Sequence, residues 1–75
     1  MCVAIPGKVV EFTAREPLIT AKVDFGGVIR EICLQSTPEA KVGDYVLAHA
    51  GFSISIIDEN EAEELLSFLR KIQPL

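Results

Sequence analysis

The stretch LITAKVDFGGVIREI, residues 18–32, decides the fold of this chain. Its first half alternates apolar and polar side chains, which is the period of a strand with one buried face. Gly26 and Gly27 come next, and two glycines readily take the positive φ angles of a two-residue hairpin turn. The resulting register pairs Phe25 with Val28, Ala21 with Ile32 and Lys22 with Glu31. The sequence therefore predicts a β-hairpin with one apolar face, on which Arg30 lays its aliphatic stem over the core with its charged head in water.

Short strands extend on both sides of this hairpin. An apolar run at 8–14 ends before Pro17, and a polar loop at 35–43 leads into a strand at 44–50. On that strand Tyr45, Leu47 and His49 share one side. Alternation resumes after Gly51, so we expect a bulge or a tight bend there. Five strands in a curling sheet favour a small barrel that resembles an OB-fold.

From residue 58 the apolar period changes to that of a helix. Asp58 can cap it, and Glu61 stands at its third position as in a capping box. One apolar stripe follows the helical spacing, formed by Ala62, Leu65, Leu66, Leu69 and Ile72. The sequence thus predicts an all-β, OB-fold-like barrel over 1–57 and one C-terminal α-helix over 58–73, which together form a single domain of residues 1–75. We expect the helix to cover an end or open edge of the barrel.

Composition narrows the classes of function. The chain has 75 residues, a net charge of −4 and an isoelectric point near 4.8, which disfavours a phosphate backbone as partner. No apolar run approaches the roughly 18 residues of a membrane span, so we expect a soluble protein. We expect no export signal at the N-terminus, where no basic segment precedes an apolar stretch, and the two cysteines then indicate a reducing compartment, which we expect to be the cytoplasm.

Cys2 is the best candidate for chemistry. A cysteine this close to a chain end has little to pack against, although an incidental free thiol is the simplest explanation from composition alone. Removal of Met1 would leave an amine beside the thiol, and the two could bind one metal ion. We expect Pro6 to fix φ and Gly7 to permit a turn, so that Ile5, Pro6 and Gly7 form a stiff stem.

His49 is the only histidine and Cys33 the only other cysteine. A lone histidine on a strand is more often a hydrogen-bonded structural residue than a ligand, but this imidazole is the best remaining nitrogen donor. Cys33 is interpreted as structural. Phosphate-binding loops, paired-cysteine metal motifs and Ser-His-Asp spacings are absent from the sequence, which argues against an enzyme.

Three motifs in order resemble those of the hydrogenase maturation factor family HypC/HybG/HupF. They are MCVAIPGKVV at 1–10, VDFGGV at 23–28 and VGDYVLAHAGF at 42–52. The resemblance runs from Met1 to about the start of the helix. Ala48 stands where a bulkier aliphatic residue is expected, and no key position of the motifs is changed.

The resemblance implies a chaperone in the assembly of [NiFe] hydrogenases. Its implied partners are HypD, where iron acquires cyanide and carbon monoxide ligands, and the precursor of the hydrogenase large subunit. Iron is then a transient cargo, with Cys2 and His49 as the implied metal ligands. The implied partner-binding residues are Cys2, Val3, Ala4, Ile5, Pro6, Gly7 and His49.

Three other functions stay open from the sequence. A metal-free scaffold would use Cys2 only for protein contacts. An OB-fold module for nucleic acid would need a basic groove with stacking aromatic residues, which this acidic chain does not favour. An enzyme with Cys2 as nucleophile would need an oxyanion partner, and the sequence offers no plausible one.

Overall fold

The computed structural model describes residues 4–72, with side chains for all of these except Arg70 and Ile72. Five strands precede one helix: β1 (Ile5–Ala14), β2 (Thr20–Asp24), β3 (Ile29–Cys33), β4 (Tyr45–His49), β5 (Phe52–Ile57) and α1 (Glu59–Ile72). The strands form a closed barrel in the order β1-β2-β3-β5-β4, with the last strand paired to the first. The predicted class, a β-barrel with one C-terminal helix, is confirmed.

A single parallel contact closes the barrel. Cys33 at the end of β3 pairs with Phe52 at the start of β5, and the Cys33 N–H donates to the Gly51 carbonyl at 2.9 Å. Every other strand pair is antiparallel. Closure removes the open sheet edges that would otherwise pair with other chains.

The β2–β3 hairpin has the predicted register. Ala21 pairs with Ile32 and Lys22 with Glu31, and the Phe25 N–H donates to the Val28 carbonyl at 2.8 Å. The turn glycines both have positive φ, 78° at Gly26 and 109° at Gly27. The strand predicted at 18–25 is shorter and spans Thr20–Asp24.

Strand β1 begins earlier than predicted, and the predicted turn at Gly7 is wrong. Pro6 and Gly7 lie within β1 and pair with Leu47 and Val46 of β4. Gly7 is there because of close packing: a Cβ atom on it would lie 2.5 Å from Val23 Cγ1 and 2.7 Å from the Phe25 ring. The predicted stem of Ile5, Pro6 and Gly7 is thus the start of β1 and part of the barrel wall.

The β4–β5 hairpin turns through Ala50 and Gly51, with φ values of 54° and 87°. His49 and Phe52 are the pair that flanks this two-residue turn. The predicted tight bend at Gly51 is confirmed. The bulge lies further along β5, at Ile54, because Ala48 pairs with Ser53 and Leu47 with Ser55.

The barrel interior is small and apolar, and it is formed by Val9, Ala21, Val23, Ile32, Leu34, Ala40, Val46 and Ala48. Thr37 and Ser53 are buried polar residues, and the Thr37 hydroxyl donates to Ser53 Oγ at 2.8 Å. Burying such a pair is tolerable because each hydroxyl has its partner. This bond ties the 35–43 loop to β5.

Helix α1 starts as the sequence indicates. Asp58 Oδ1 accepts a hydrogen bond from the Glu61 N–H at 2.7 Å, which satisfies one of the free amides of the first turn. Ala62 is fully buried and Leu65 and Leu66 are half-buried, where the helix packs on β1 and β4. Within residues 4–72, no helix has the length and apolarity to cross a membrane.

Candidate functional site at the end of strand β4

The predicted site residues fall in two places along the chain, the N-terminal motif and the end of β4. Cys2 and Val3 lie outside the described residues. Ala4, Ile5, Pro6, Gly7 and His49 are described.

The β1–β4 ladder brings these two places together. Ile5 pairs with Ala48 and Pro6 with Leu47, so the same register continued by one residue sets Ala4 opposite His49. Neighbouring strands lie about 4.8 Å apart. Ala4 and the chain's only histidine are therefore neighbours, although 44 residues separate them in the sequence.

Only part of the N-terminal motif faces solvent. Pro6 and Gly7 are buried, Pro6 completely. Ala4 and His49 are half-buried, and Ile5 is 41% exposed. The described residues at this motif that a partner can contact are thus Ala4, Ile5 and His49. Pro6 and Gly7 are buried within the barrel wall.

His49 is the last residue of β4, with its side chain on the outer face of the barrel. Val46 and Ala48 are buried on the inner face, while Tyr45, Leu47 and His49 are half-buried on the other, as the alternation predicts. The β4–β5 ladder pairs His49 with Phe52, and the β1–β4 ladder ends one residue before it, at Ala48. Among the hydrogen bonds between described residues, none involves the imidazole, whose nitrogens can therefore serve a ligand.

Phe52 is a site neighbour that the sequence reasoning missed. It pairs with His49 across the β4–β5 hairpin and with Cys33 across the parallel contact, and it is 55% exposed. The signal that could have found it is the two-residue spacing between His49 and Phe52 around Gly51, which is the spacing of a tight hairpin. Cys33 is a half-buried free thiol.

The described residues contain few possible metal donors near one another. No group of three or more His, Cys, Asp or Glu side chains within residues 4–72 is arranged to hold a metal ion. The acidic side chains cluster elsewhere, at the start of α1, in Asp58, Glu59, Glu61, Glu63 and Glu64. Near this end of β4, the described side chains that a transition metal would favour are His49 and the Cys33 thiol, which lies two strands away on β3.

Comparison with known proteins identifies the family. The model of the HupF/HypC family matches residues 1–69. Hydrogenase maturation factor HypC of Synechocystis sp. is 53% identical over 68 residues, which cover 88% of this chain and 90% of that protein. HypC of Cupriavidus necator is 42% identical over 77 aligned positions, covering 99% and 82% respectively. HybG of Escherichia coli is 34% identical over 76, covering 96% and 92%. This chain belongs to the HupF/HypC family of hydrogenase maturation factors.

Proposed function

We propose that this chain is an assembly chaperone that works with HypD. In this proposal it carries an iron centre with cyanide and carbon monoxide ligands to the precursor of the [NiFe] hydrogenase large subunit. The observation that supports it best is the β1–β4 register, which sets Ala4 opposite His49. Cys2 precedes Ala4 by only two residues in the chain, so its thiol is tethered close to the neighbour of the His49 imidazole.

Covalent geometry supports the use of both groups on one metal ion. Successive Cα atoms are about 3.8 Å apart, so the Cα atom of Cys2 stays within about 7.6 Å of that of Ala4. His49 is on the strand next to Ala4. A thiolate and an imidazole on these two residues can therefore reach a shared iron atom.

The chemistry of the two donors suits a cargo that must be released. A thiolate is a soft ligand that matches iron bearing cyanide and carbon monoxide, and an imidazole binds iron as well. Release needs only that ligands of the acceptor replace the Cys2 thiolate, and the His49 imidazole where it is bound, on the iron, so no covalent bond within the chaperone breaks. His49 acts as a second iron ligand or as the group that orients the iron centre.

The remaining iron ligands come from the diatomic molecules and from the partner protein. Cys2 and His49 supply at most a thiolate, an imidazole and, after loss of Met1, an amine. Such an iron centre is held between two proteins, which suits a chaperone that passes it on. Ala4, half-buried opposite His49, and Ile5, which is exposed, provide the first contacts with HypD.

The test uses the two cysteines as a matched pair. Tagged wild-type protein, Cys2→Ala and Cys33→Ala are co-purified with HypD, and we measure the iron in the complex and the processing of the large subunit. We expect Cys2→Ala to lose both and Cys33→Ala to keep both.

Two outcomes separate the alternatives. If Cys2→Ala still co-purifies with iron-loaded HypD and still supports processing, the proposal is wrong. If Cys2→Ala loses the complex while HypD purified alone keeps its full iron content and infrared bands, the metal-free scaffold is the better description.

A further inference from the structure

We infer that Phe52 and Ile54, beside His49, form an apolar contact surface that HypD buries when it reaches Cys2. We call these three residues the Phe52 surface. The inference rests on the proposed function, because it assigns a contact to the same partner.

Strand pairing makes this surface continuous with the N-terminal motif. Phe52 is paired with His49, and residues directly opposite each other in an antiparallel pair point to the same face, with Cβ atoms about 4.5–5.5 Å apart. His49 in turn faces Ala4 across the extended β1–β4 register. One row of residues thus runs from Ala4 through His49 to Phe52.

The barrel does not need these side chains for its own core. Phe52 is 55% exposed and Ile54 is 53% exposed, while the core cluster is formed by other residues. Helix α1 makes its main contacts with β1 and β4. Large apolar side chains that stay in water beside a functional motif are typical of a surface that a partner covers.

The backbone holds this surface in place before any partner arrives. Ser53, between Phe52 and Ile54, is fully buried and hydrogen-bonded to Thr37. Cys33 donates to the carbonyl of the preceding Gly51. A contact residue on a fixed backbone loses less conformational freedom on binding, so more of its burial contributes to affinity.

The size of an ordinary interface places Phe52 within reach of any protein that contacts Cys2. A stable interface buries about 800 Å² on each partner, equivalent to a disc of about 16 Å radius. Two strand spacings, about 10 Å, separate Phe52 from the start of β1. Buried aromatic residues near the centre of an interface contribute a large share of binding energy, so Phe52 should be one of these.

Charge indicates which kind of partner surface fits. The row from Ala4 through His49 to Phe52 contains no carboxylate and no Lys or Arg, whereas five of the eleven acidic residues lie within 58–64, at the start of α1. An uncharged apolar patch of HypD is therefore the expected counterpart. Its contribution to affinity should change little with salt, because ionic screening acts on charges.

The experiment measures the dissociation constant of the HypD complex by titration calorimetry for wild-type protein, Phe52→Ala and Phe68→Ala. Phe68 is the matched control, since it is 58% exposed but lies on the helix. We expect Phe52→Ala to raise the dissociation constant at least about tenfold, by the same factor at low and high salt. Phe68→Ala should stay within about twofold of wild type, and Phe52→Leu should recover part of the loss. Thermal unfolding shows whether each variant is folded. If Phe52→Ala does not fold, the dissociation constant of folded Phe52→Leu is compared with that of the wild-type protein, and a higher value supports the inference.

Each other outcome overturns the inference. If Phe52→Ala binds HypD as tightly as the wild-type protein does, while Cys2→Ala still loses its function, the Phe52 surface is not a HypD contact. The proposed function then still stands. Equal losses in Phe52→Ala and Phe68→Ala mean that the contact is not local to β5. Concentration-dependent dimers of the wild-type protein that Phe52→Ala abolishes would make a second copy the occupant. If wild-type protein does not bind HypD, the proposed function and this inference both fail.

Discussion

The two hairpins of the barrel are built alike and used differently. Each turns through two residues with positive φ, Gly26 and Gly27 in one, Ala50 and Gly51 in the other. Each turn is flanked by a phenylalanine. Phe25 is half-buried, with its ring close against Gly7 of β1, while Phe52 points away from the core and stays exposed.

This difference separates a structural hairpin from a functional one. The β2–β3 turn uses the residues best suited to positive φ, and its phenylalanine packs against the strand that follows the N-terminal motif. The β4–β5 turn keeps an alanine at φ 54°, a conformation that L residues with a Cβ atom avoid. Backbone strain of this kind often accompanies functional sites. Here it lies next to His49 and Phe52.

We expect the largest change in stability from a substitution that disrupts the packing of the β2–β3 hairpin. Gly7→Ala would place a Cβ atom 2.5 Å from Val23 Cγ1 and 2.7 Å from the Phe25 ring. Because both neighbours must move within a closed wall, we expect a loss of about 2–3 kcal/mol in the free energy of unfolding. Urea denaturation measures it. Unchanged stability would mean that Phe25 does not lock β1, and the two hairpins would then not differ in this way.

The next effect compares the two phenylalanines directly. Phe25→Ala removes a half-buried ring and uncovers Gly7, so it should cost about 2 kcal/mol. Phe52→Ala removes a ring that is mostly in water and should cost less than about 1 kcal/mol. Both variants are unfolded in urea under the same conditions. Equal losses would contradict the assignment of Phe52 to function and Phe25 to folding.

We expect the smallest changes in stability from substitutions of the residues in the two turns. Ala50→Gly relieves a positive φ and should stabilise the protein by about 0.5–1 kcal/mol, whereas Gly26→Ala, at φ 78°, should destabilise it by about 1 kcal/mol. Thermal unfolding of the two single variants shows whether each substitution raises or lowers the stability. If Ala50→Gly destabilises the protein, the strain assigned to the β4–β5 turn is absent.

Much of the barrel could be predicted because its signals are local. The alternation over 18–32 and its two glycines give the β2–β3 register, and Asp58 gives the start of the helix. Gly7 misled the prediction, because a glycine that permits a turn and one that makes room for Val23 and Phe25 look identical in sequence. Only the register of β1 on its neighbours distinguishes them.

The sequence predicts the individual residues of the candidate site but not their arrangement in space. Cys2 and His49 were identified from residue chemistry and from the family resemblance. The approach of Ala4 to His49 depends on the β1–β4 pairing, which joins distant parts of the chain and leaves no local pattern. Phe52 was missed for the same reason, since its position beside His49 follows from the turn through Ala50 and Gly51.

The central claim is that the N-terminal motif and the end of β4 form one iron-handling site. Infrared spectroscopy of the HypD complex, purified with wild-type protein and with His49→Ala, tests it most directly. We expect the cyanide and carbon monoxide bands of the wild-type complex to be lost or shifted with His49→Ala, while the two proteins still co-purify. Bands of unchanged position and intensity in an intact His49→Ala complex would contradict the claim.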